Sequence, residues 1–282
     1  MKSIGIIGLG YVGKAIESYF RKFYKINTFD INGLSNCDSI NDVYYSSELL
    51  FICLPTPMRK DGSCDLEIVE NVISEINSFP INSNKKLIVI KSTVPVGTTN
   101  NLAQKYKNLN FCFNPEFLTE ANFIDDFKNQ DRIILGGENL DVIYELYSKT
   151  FKDVTIIKTD YKSAEMVKYV TNTFLAVKVS YANEVASLCK KLNIDFDEMI
   201  KIATLDSRIG KSHWKVPGPD GKMGYGGTCF PKDISSLINQ FEQNEIKSII
   251  LEASLNRNNN IDRKERDWEK LKGRSVSDDK AT

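Results

Sequence analysis

The chain has 282 residues, of which 41% are hydrophobic and 26% are charged, as in an average soluble globular protein. This composition argues against a disordered, fibrous or membrane-embedded chain, and the length predicts two domains, each large enough to bury a core. The 37 basic and 37 acidic residues give no net charge, so we expect neither nucleic acid nor a membrane as a partner.

The residue types that bind metals and form disulfides are few and scattered. The 6 cysteines show no C-x-x-C spacing, which argues against a zinc site and against a disulfide framework. The only histidine is His213, so a His-rich metal site or a serine-type triad has little material to work with. The sequence shows neither a signal peptide nor a long apolar segment, and we predict a cytoplasmic protein without a metal.

The first half of the chain alternates apolar runs with helix-like stretches. Ser3–Ile7 is a predicted strand, and a glycine loop and a predicted helix follow it. Further apolar runs occupy Lys25–Phe29, Leu49–Leu54, Lys86–Ile90, Leu109–Phe113, Arg132–Leu135 and Val154–Ile157. Such alternation predicts an α/β fold with a Rossmann-type, doubly wound parallel sheet over residues 1–160.

The second half changes to helical spacing. One long central helix is predicted from about Lys162 to Leu192, because apolar residues keep a largely helical period and neither proline nor glycine interrupts them. Asp195–Ala203 and Ile234–Ala253 are further predicted helices, so residues 161–256 form a predicted helical domain. Residues 257–282 are highly charged and offer few apolar side chains, which predicts a partly ordered tail.

The glycine loop after the first strand has the spacing of a dinucleotide-binding motif. Gly8, Gly10 and Gly13 lie between a predicted strand and a predicted helix, whose N-terminus would attract a pyrophosphate. Asp30 ends the next strand, 20 residues after Gly10, where a carboxylate recognises a ribose 2′-hydroxyl and repels a 2′-phosphate. The pattern predicts binding of NAD rather than NADP, although glycines are also needed in an ordinary strand-to-helix turn.

The stretch Gly-Tyr-Gly-Gly-Thr-Cys-Phe-Pro-Lys-Asp, residues 224–233, is the most informative one. Its three glycines allow close backbone approach to a ligand, and Pro231 favours the start of a helix directly after Cys229. A helix N-terminus and the nearby Lys232 would favour the thiolate and make Cys229 a nucleophile. The alternative is a small buried thiol before an ordinary helix start.

Other polar residues stand where ligands bind in such folds. Lys168 and Asn172 are four residues apart on the long helix and project from one face. The segments Ser92–Thr99 and Asn114–Glu120 directly follow apolar runs, where loops at the carboxyl ends of strands bind ligands. Solvated polar positions and simple turns remain the alternatives for these residues.

Taken together, the segments GLGYVG, LPTP, DGSCDL, STVPVGTT, NPEFLTEAN, QDRIILGG, AEMVKYVTNTFLAVKVSYANE and GYGGTCFPKD resemble the UDP-glucose/GDP-mannose dehydrogenase family. The resemblance runs from Ile4 to about Asn256. It implies an NAD-dependent oxidoreductase that converts the primary alcohol of a sugar nucleotide to a carboxylate. The reaction comprises two hydride transfers and passes through a cysteine thioester.

The resemblance also implies a role for individual residues. Cys229 would be the nucleophile, Lys168 would stabilise oxyanions, and Asn172 would bind the reacting sugar. Asp233 and Thr93 would position the hydrolytic water.

Three further groups of residues follow from the same resemblance. Glu116 and Glu120 are the candidates for the general base or a substrate contact, and the choice between them stays open. The residues implied in cofactor binding are Gly8, Gly10, Tyr11, Val12, Gly13, Asp30, Pro55, Thr56, Thr93 and Lys232. Those implied in substrate binding are Phe117, Leu118, Lys168, Asn172, Arg208, Tyr225 and Gly226.

The substrate and the assembly are expectations of the same kind. The GYGGTCFPKD stretch, together with Asp131-Arg132-Ile-Ile, favours the UDP-glucose branch, with GDP-mannose as the alternative. The family implies a homodimer through the long helix, with uronate sugars used in surface polysaccharide. Family members usually continue into a third, nucleotide-binding domain, which we expect to be missing here. The competing hypotheses are a catalytically inactive NAD-binding subunit and a single-step hydroxyacid dehydrogenase.

Overall fold

The computed structural model describes residues 1–80 and 85–278. The chain divides into two compact units, the first comprising Met1–Thr56 and Leu66–Lys168 and the second comprising Pro57–Asp65 and Tyr169–Thr282. The division lies within the long helix rather than at residue 160, because the first turns of that helix pack on the core of the first unit, where Ala164 is fully buried. The sequence also gave no sign that residues 57–65 belong to the second unit.

The first unit contains, within the described residues, a seven-stranded sheet in the order β2-β1-β3-β4-β5-β6-β7. Its strands are β1 (Ser3–Ile7), β2 (Lys25–Phe29), β3 (Leu49–Ile52), β4 (Leu87–Ile90), β5 (Asn110–Phe113), β6 (Arg132–Gly137) and β7 (Thr155–Thr159). Neighbouring strands are parallel except β5 and β6. The predicted Rossmann-type α/β fold is confirmed. Within the predicted parallel sheet, the pair of β5 and β6 is antiparallel, because an apolar run carries no information about strand direction.

Helices cover the sheet and bury its apolar side chains. They are α1 (Tyr11–Phe20), α2 (Ile40–Ser46), α3 (Glu67–Ser78), α4 (Thr98–Lys105), α5 (Phe123–Lys128) and α6 (Asp141–Thr150). Alternate residues of each strand enter two separate apolar clusters, as the period of two in a strand requires: Leu49 and Phe51 belong to one cluster, Leu50 and Ile52 to the other. Both faces of the sheet are therefore buried.

The second unit is helical, with the predicted long helix at its start. Its helices are α7 (Tyr161–Leu192), which begins in the first unit, α8 (Phe196–Ala203), α9 (Phe230–Gln243) and α10 (Ile249–Arg257). The predicted helix Ile234–Ala253 is therefore two helices. The chain changes direction between them, where Glu245 adopts a positive φ of 58°. Over residues 1–80 and 85–278, no helix combines the length and the apolarity that a membrane crossing needs.

The predicted partly ordered tail is wrong for residues 257–278. They form a π-helical turn, Asn258–Asp262, and a 3₁₀ turn, Asp267–Lys270, in which Trp268 is buried. Farther on, Ser277 donates a hydrogen bond to Asp65 in the second unit. The high charge misled the prediction because several of these charges pair with one another instead of facing solvent. Residues 279–282 lie outside the described residues.

Candidate active site

The glycine loop of the first unit joins β1 to α1. Gly8 has a φ of +95°, and a Cβ at Gly13 would lie 1.9 Å from the carbonyl oxygen of Gly8, so both positions need glycine for the turn itself. Gly10 caps α1 with ordinary dihedral angles, and a Cβ there would meet no protein atom within 4 Å. No side-chain capping bond is made at Gly10, and the N-terminus of α1 carries a partial positive charge that favours an anion.

Asp30 links the end of β2 to this loop. One carboxylate oxygen accepts a hydrogen bond of 2.6 Å from the Leu9 amide, and the other accepts one of 2.8 Å from the Asn32 amide. Burial raises the pKa of Asp30, but these hydrogen bonds and the Lys14 charge outweigh it and lower that pKa. A charged carboxylate, the positive end of α1 and the open space at Gly10 fit the pyrophosphate and ribose of NAD.

The remaining predicted cofactor residues of the first unit lie on or near this edge of the sheet. Thr56 is buried, and its hydroxyl donates a 2.7 Å hydrogen bond to the backbone oxygen of Thr93, which joins the loops after β3 and β4. Pro55 is exposed beside Thr56, whereas Tyr11 and Val12 are half-buried at the start of α1.

Glu116 and Lys168 form a buried ion pair. The Lys168 ammonium lies 2.9 Å from a Glu116 carboxylate oxygen and also donates to the Glu116 backbone oxygen, and the two side chains are 3% and 10% exposed. Burial raises the pKa of Glu116, but Lys168, the Leu118 amide and Lys91 together outweigh burial and lower that pKa. Glu120 lies half-buried farther along the same loop. Of the two carboxylates that the sequence left open, Glu116 is therefore the partner of Lys168.

The predicted substrate residues of this loop lie close to the ion pair. The Phe117 ring has the Lys168 ammonium 5.5 Å from its centroid and the Arg132 guanidinium 4.5 Å away. The backbone amide of Leu118 donates a 2.7 Å hydrogen bond to Glu116. The loop is thus folded around the Glu116 carboxylate.

Sequence reasoning missed Lys91, the residue directly after β4. Its ammonium is buried and donates to the Asn114 side chain at 3.0 Å and to the Pro115 backbone oxygen. Burial lowers its pKa to about 8. Its position immediately after an apolar strand was the available signal, but most lysines at strand ends are solvated, so the sequence did not single it out.

In the second unit, Cys229 is the N-cap residue of α9, as predicted, with Pro231 in the first turn. Asp233 is buried in that turn. Its carboxylate accepts a 2.6 Å hydrogen bond from the Asn172 side chain and pairs with Lys232 through its other oxygen. The sequence predictions for Cys229, Asn172 and Asp233 therefore fall on one connected group, because Asp233 and Cys229 belong to the same helix start.

Lys232 is nearly buried beside this group. Burial alone would lower the pKa of its ammonium. The carboxylate of Asp233 and the nearby sulfur atoms of Cys229 and Cys64 outweigh burial and raise that pKa. Lys232 therefore keeps its positive charge near the Cys229 thiol. Cys64 was not singled out from the sequence, because it lies far from Cys229 along the chain.

The glycine loop before Cys229 is occupied by side chains of the protein itself. A Cβ at Gly224, whose φ is +68°, would lie 2.4 Å from the Asn258 side-chain oxygen. A Cβ at Gly226 would lie 2.5 Å from the Arg263 guanidinium carbon. The sequence predicted that a ligand approaches the backbone of this loop closely. In the structure the approaching groups are the side chains of Asn258 and Arg263, which lie in the predicted tail. Tyr225 between the two glycines is buried.

Arg208 lies on the surface of the second unit. Its side chain is 87% exposed and pairs with Asp206 two residues earlier, so it does not pack against the Cys229 loop. Over the described residues, no group of three or more His, Cys, Asp or Glu side chains is arranged to hold a metal ion.

Two family models match the chain. The NAD binding domain of the UDP-glucose/GDP-mannose dehydrogenase family matches residues 28–155, and the central domain of the same family matches residues 162–260. The chain belongs to the UDP-glucose/GDP-mannose dehydrogenase family. The family resemblance predicted from the sequence and the NAD cofactor are thereby confirmed.

Individual relatives agree with the family models. The UDP-glucose 6-dehydrogenase of Rickettsia bellii is 40% identical over 226 residues, which cover 77% of this chain and 50% of the relative. The chain spans about half the length of the Rickettsia relatives it matches.

Solved structures show the same fold. The UDP-glucose dehydrogenase of Pyrobaculum islandicum superposes with a TM-score of 0.80 at 29% identity over 92% of this chain and 68% of that one. The GDP-mannose dehydrogenase of Pseudomonas aeruginosa superposes with a TM-score of 0.66 at 26% identity, over 91% and 68% of the two chains.

Proposed function

We propose that the chain carries out the NAD-dependent, four-electron oxidation of UDP-glucose to UDP-glucuronate, with Cys229 as the covalent nucleophile. The observation that carries the proposal is the position of Cys229 at the start of α9, beside the charged Lys232 and one turn from the Asp233–Asn172 hydrogen bond. A helix N-terminus and a neighbouring ammonium both favour the thiolate form of a cysteine. The family relatives named UDP-glucose 6-dehydrogenase support this choice of substrate.

The cofactor would be held by the glycine loop of the first unit. The first amides of α1 would bind the pyrophosphate at Gly10, and Asp30 would accept a hydrogen bond from the ribose. NAD, when bound, accepts a hydride. Asp30 is charged and already accepts a hydrogen bond from the Leu9 amide, so its carboxylate is held in position before the cofactor binds.

The alcohol step needs a group that stabilises the developing oxyanion. Lys168 is nearly buried, so its charge acts in a medium of low dielectric constant. Glu116 holds this ammonium in place, and its lowered pKa makes it a weak proton acceptor. We therefore assign Glu116 the role of orienting Lys168, and Glu120 remains the candidate for the general base.

In the aldehyde step, Cys229 would act as the nucleophile. Its thiolate sulfur would form a bond to the aldehyde carbon as the C=O π bond opens. The oxygen would take up one proton from solvent, balancing the proton that the thiol released, which gives a thiohemiacetal. The thiohemiacetal would transfer a second hydride to a second NAD and release its hydroxyl proton, which gives a thioester. Water would then cleave the thioester to the carboxylate and the free thiol, with release of a proton. Asp233 would help to position this water, together with the predicted Thr93, while Asn172 would bind the sugar.

The long helix supports the proposed homodimer. Large apolar side chains lie along one side of α7 at helical spacing and are more than half exposed: Val170, Phe174, Tyr181, Leu188 and Leu192. A stripe of this kind on a helix face marks an interaction surface, and a second copy of this chain would cover it. Sedimentation that shows only monomer would contradict this part of the proposal.

The deciding experiment mixes purified protein with NAD and UDP-glucose and measures the NADH released for each molecule of sugar nucleotide. Two NADH for each UDP-glucose are expected, no turnover in Cys229→Ser, and normal turnover in Cys37→Ser, a half-buried cysteine of the first unit. Turnover of GDP-mannose and not of UDP-glucose would show that the proposed substrate is wrong and that GDP-mannose is the substrate. One NADH for each substrate would contradict the thioester route. NAD binding without any turnover would favour the non-catalytic subunit.

A further inference from the structure

We propose that Asn258 and Arg263 are positioning residues that hold the glycine loop 224–228 and thereby fix the Cys229 thiol at the start of α9. The inference rests on the proposed function, in which Cys229 is the nucleophile. Neither residue belongs to the motifs that carry the family resemblance. Both lie in residues 257–282, which were predicted from the sequence to form a partly ordered tail.

Asn258 fixes the backbone of the loop at Tyr225. Its side-chain oxygen accepts a 2.8 Å hydrogen bond from the Tyr225 amide, and its side-chain nitrogen donates a 3.0 Å hydrogen bond to the Tyr225 carbonyl. Asn258 is completely buried, so water does not compete for these bonds. A second asparagine, Asn183 of α7, accepts a hydrogen bond from the Gly224 amide.

Arg263 fixes the next part of the loop through its charge and its shape. The guanidinium lies against Gly226, where a Cβ would approach it to 2.5 Å. It donates to the Asp267 carboxylate at 2.8 Å and to Asp220 at 2.6 Å, and Lys222 donates to Asp267 at 2.6 Å. Because Asp220 and Lys222 lie just before the glycines, the ion network joins the segment leading into the loop to the 3₁₀ turn.

The loop needs this support because its own sequence does not fix it. Gly224 and Gly227 adopt φ values of +68° and +72°, and glycine loses more conformational freedom on ordering than any other residue. Cys229 is the N-cap of α9, and its side chain makes no capping bond to the helix. Contacts from Asn258 and Arg263 supply the order that the loop lacks.

A buried arginine with two carboxylates is costly to desolvate, and such a network contributes little to stability compared with apolar packing. This cost favours a role in defining one conformation over a role in general stability. The consequence is measurable at the thiol. When the loop is released, Cys229 samples positions farther from the positive end of α9 and from Lys232, and less of it is present as the reactive thiolate.

The test measures the alkylation rate of Cys229 by iodoacetamide at neutral pH, by mass spectrometry of its peptide, in Asn258→Ala and Arg263→Gln. We expect a fall of about threefold or more at Cys229 with an unchanged rate at Cys37. The matched control is Arg266→Gln, which removes an arginine of the same segment that pairs with Glu269 and not with the loop. If Arg263→Gln fails to fold, Asp267→Asn takes its place in the test. This second variant weakens the Arg263–Asp267 ion pair at a partly exposed carboxylate.

The outcomes separate a positioning role from a structural one. A slower Cys229 reaction in a variant that remains folded at the assay temperature, as shown by its thermal midpoint, supports the proposal. An unchanged or faster reaction overturns it, and so does an equal fall in Arg266→Gln. Because alkylation needs neither NAD nor a sugar nucleotide, a failure of the proposed oxidation leaves this result interpretable.

Discussion

The two glycine loops look alike in the sequence but differ in what approaches them. In the first loop, the space at Gly10 is open, and no protein atom lies within 4 Å of a Cβ built there. In the second loop, the corresponding space at Gly224 and Gly226 is filled by Asn258 and Arg263. The first loop therefore leaves room for a ligand to touch its backbone, whereas the second is held by the protein.

The anchors of the two loops differ as well. The first loop is held by a carboxylate, because Asp30 accepts a hydrogen bond from the Leu9 amide. The second is held by the neutral Asn258 amide at Tyr225, with the Arg263 ion network beside it. A glycine motif by itself thus indicates close approach but not the identity of the approaching group. The substitutions below test this distinction, beginning with the largest expected effect.

Gly13→Ala should be the most damaging change. Its Cβ would lie 1.9 Å from the Gly8 carbonyl oxygen, which is backbone and cannot move aside. We expect a loss of about 3 kcal/mol or more in the free energy of unfolding, measured by urea denaturation. A loss below about 1 kcal/mol would mean that the turn between β1 and α1 rearranges easily, and the close packing of the first loop would be disproved.

Gly224→Ala should cost less, about 2 kcal/mol, because the positive φ adds strain and the Asn258 oxygen lies 2.4 Å from the new methyl group. Removing the obstructing side chain should recover part of this cost. In a double-mutant cycle, Gly224→Ala and Asn258→Ala should therefore be less destabilising together than the sum of the two single changes. Strict additivity would show that Asn258 does not contact this glycine in solution.

Asp30→Asn should cost about 1 kcal/mol near neutral pH, because it replaces a charged acceptor of the Leu9 amide by a neutral one. The folded state lowers the pKa of Asp30, so the wild-type carboxylate stabilises the fold above its ordinary pKa and loses that contribution as the pH falls through the folded-state value. The stability difference between wild type and variant should therefore shrink on acidification.

Hydrogen exchange at two amides checks the pH argument. As the pH falls below the ordinary pKa of an aspartate and through the lowered pKa of Asp30, the protection factor of the Leu9 amide should fall. The Tyr225 amide should keep its protection over the same range, because its partner Asn258 does not titrate. Equal losses at both amides would show that acid acts on the whole fold and not on the anchor of the first loop.

The sequence was sufficient for features that depend on local patterns. The seven strands, the long α7 and the N-cap position of Cys229 follow from apolar period, the absence of helix breakers and the proline after the cysteine. Asp30 was predicted from its spacing to the glycines. Its bond to the Leu9 amide was not, because spacing indicates where a carboxylate stands but not which amide turns toward it.

Features that join distant segments could not be predicted in this way. Lys91, Asn258 and Arg263 are polar residues that the chain buries, and their burial depends on partners that are remote or unremarkable in the sequence. High charge over residues 257–282 favoured a solvated tail, but Arg263 and Asp267 neutralise each other. The pairing of Glu116 with Lys168 could not be predicted either, because it depends on how the loop folds.

Gly10→Ala should have the smallest effect on stability and a large effect on the cofactor. Gly10 adopts a φ of −69°, which alanine accepts, and its Cβ position is empty, so stability should stay within about 0.5 kcal/mol of wild type or rise slightly. NAD affinity, measured by calorimetry, should fall roughly tenfold or more, because the methyl group occupies the place where the pyrophosphate approaches the backbone. Unchanged affinity would mean that the cofactor does not use the open space at Gly10. The difference between the open first loop and the filled second loop would then have no consequence for binding.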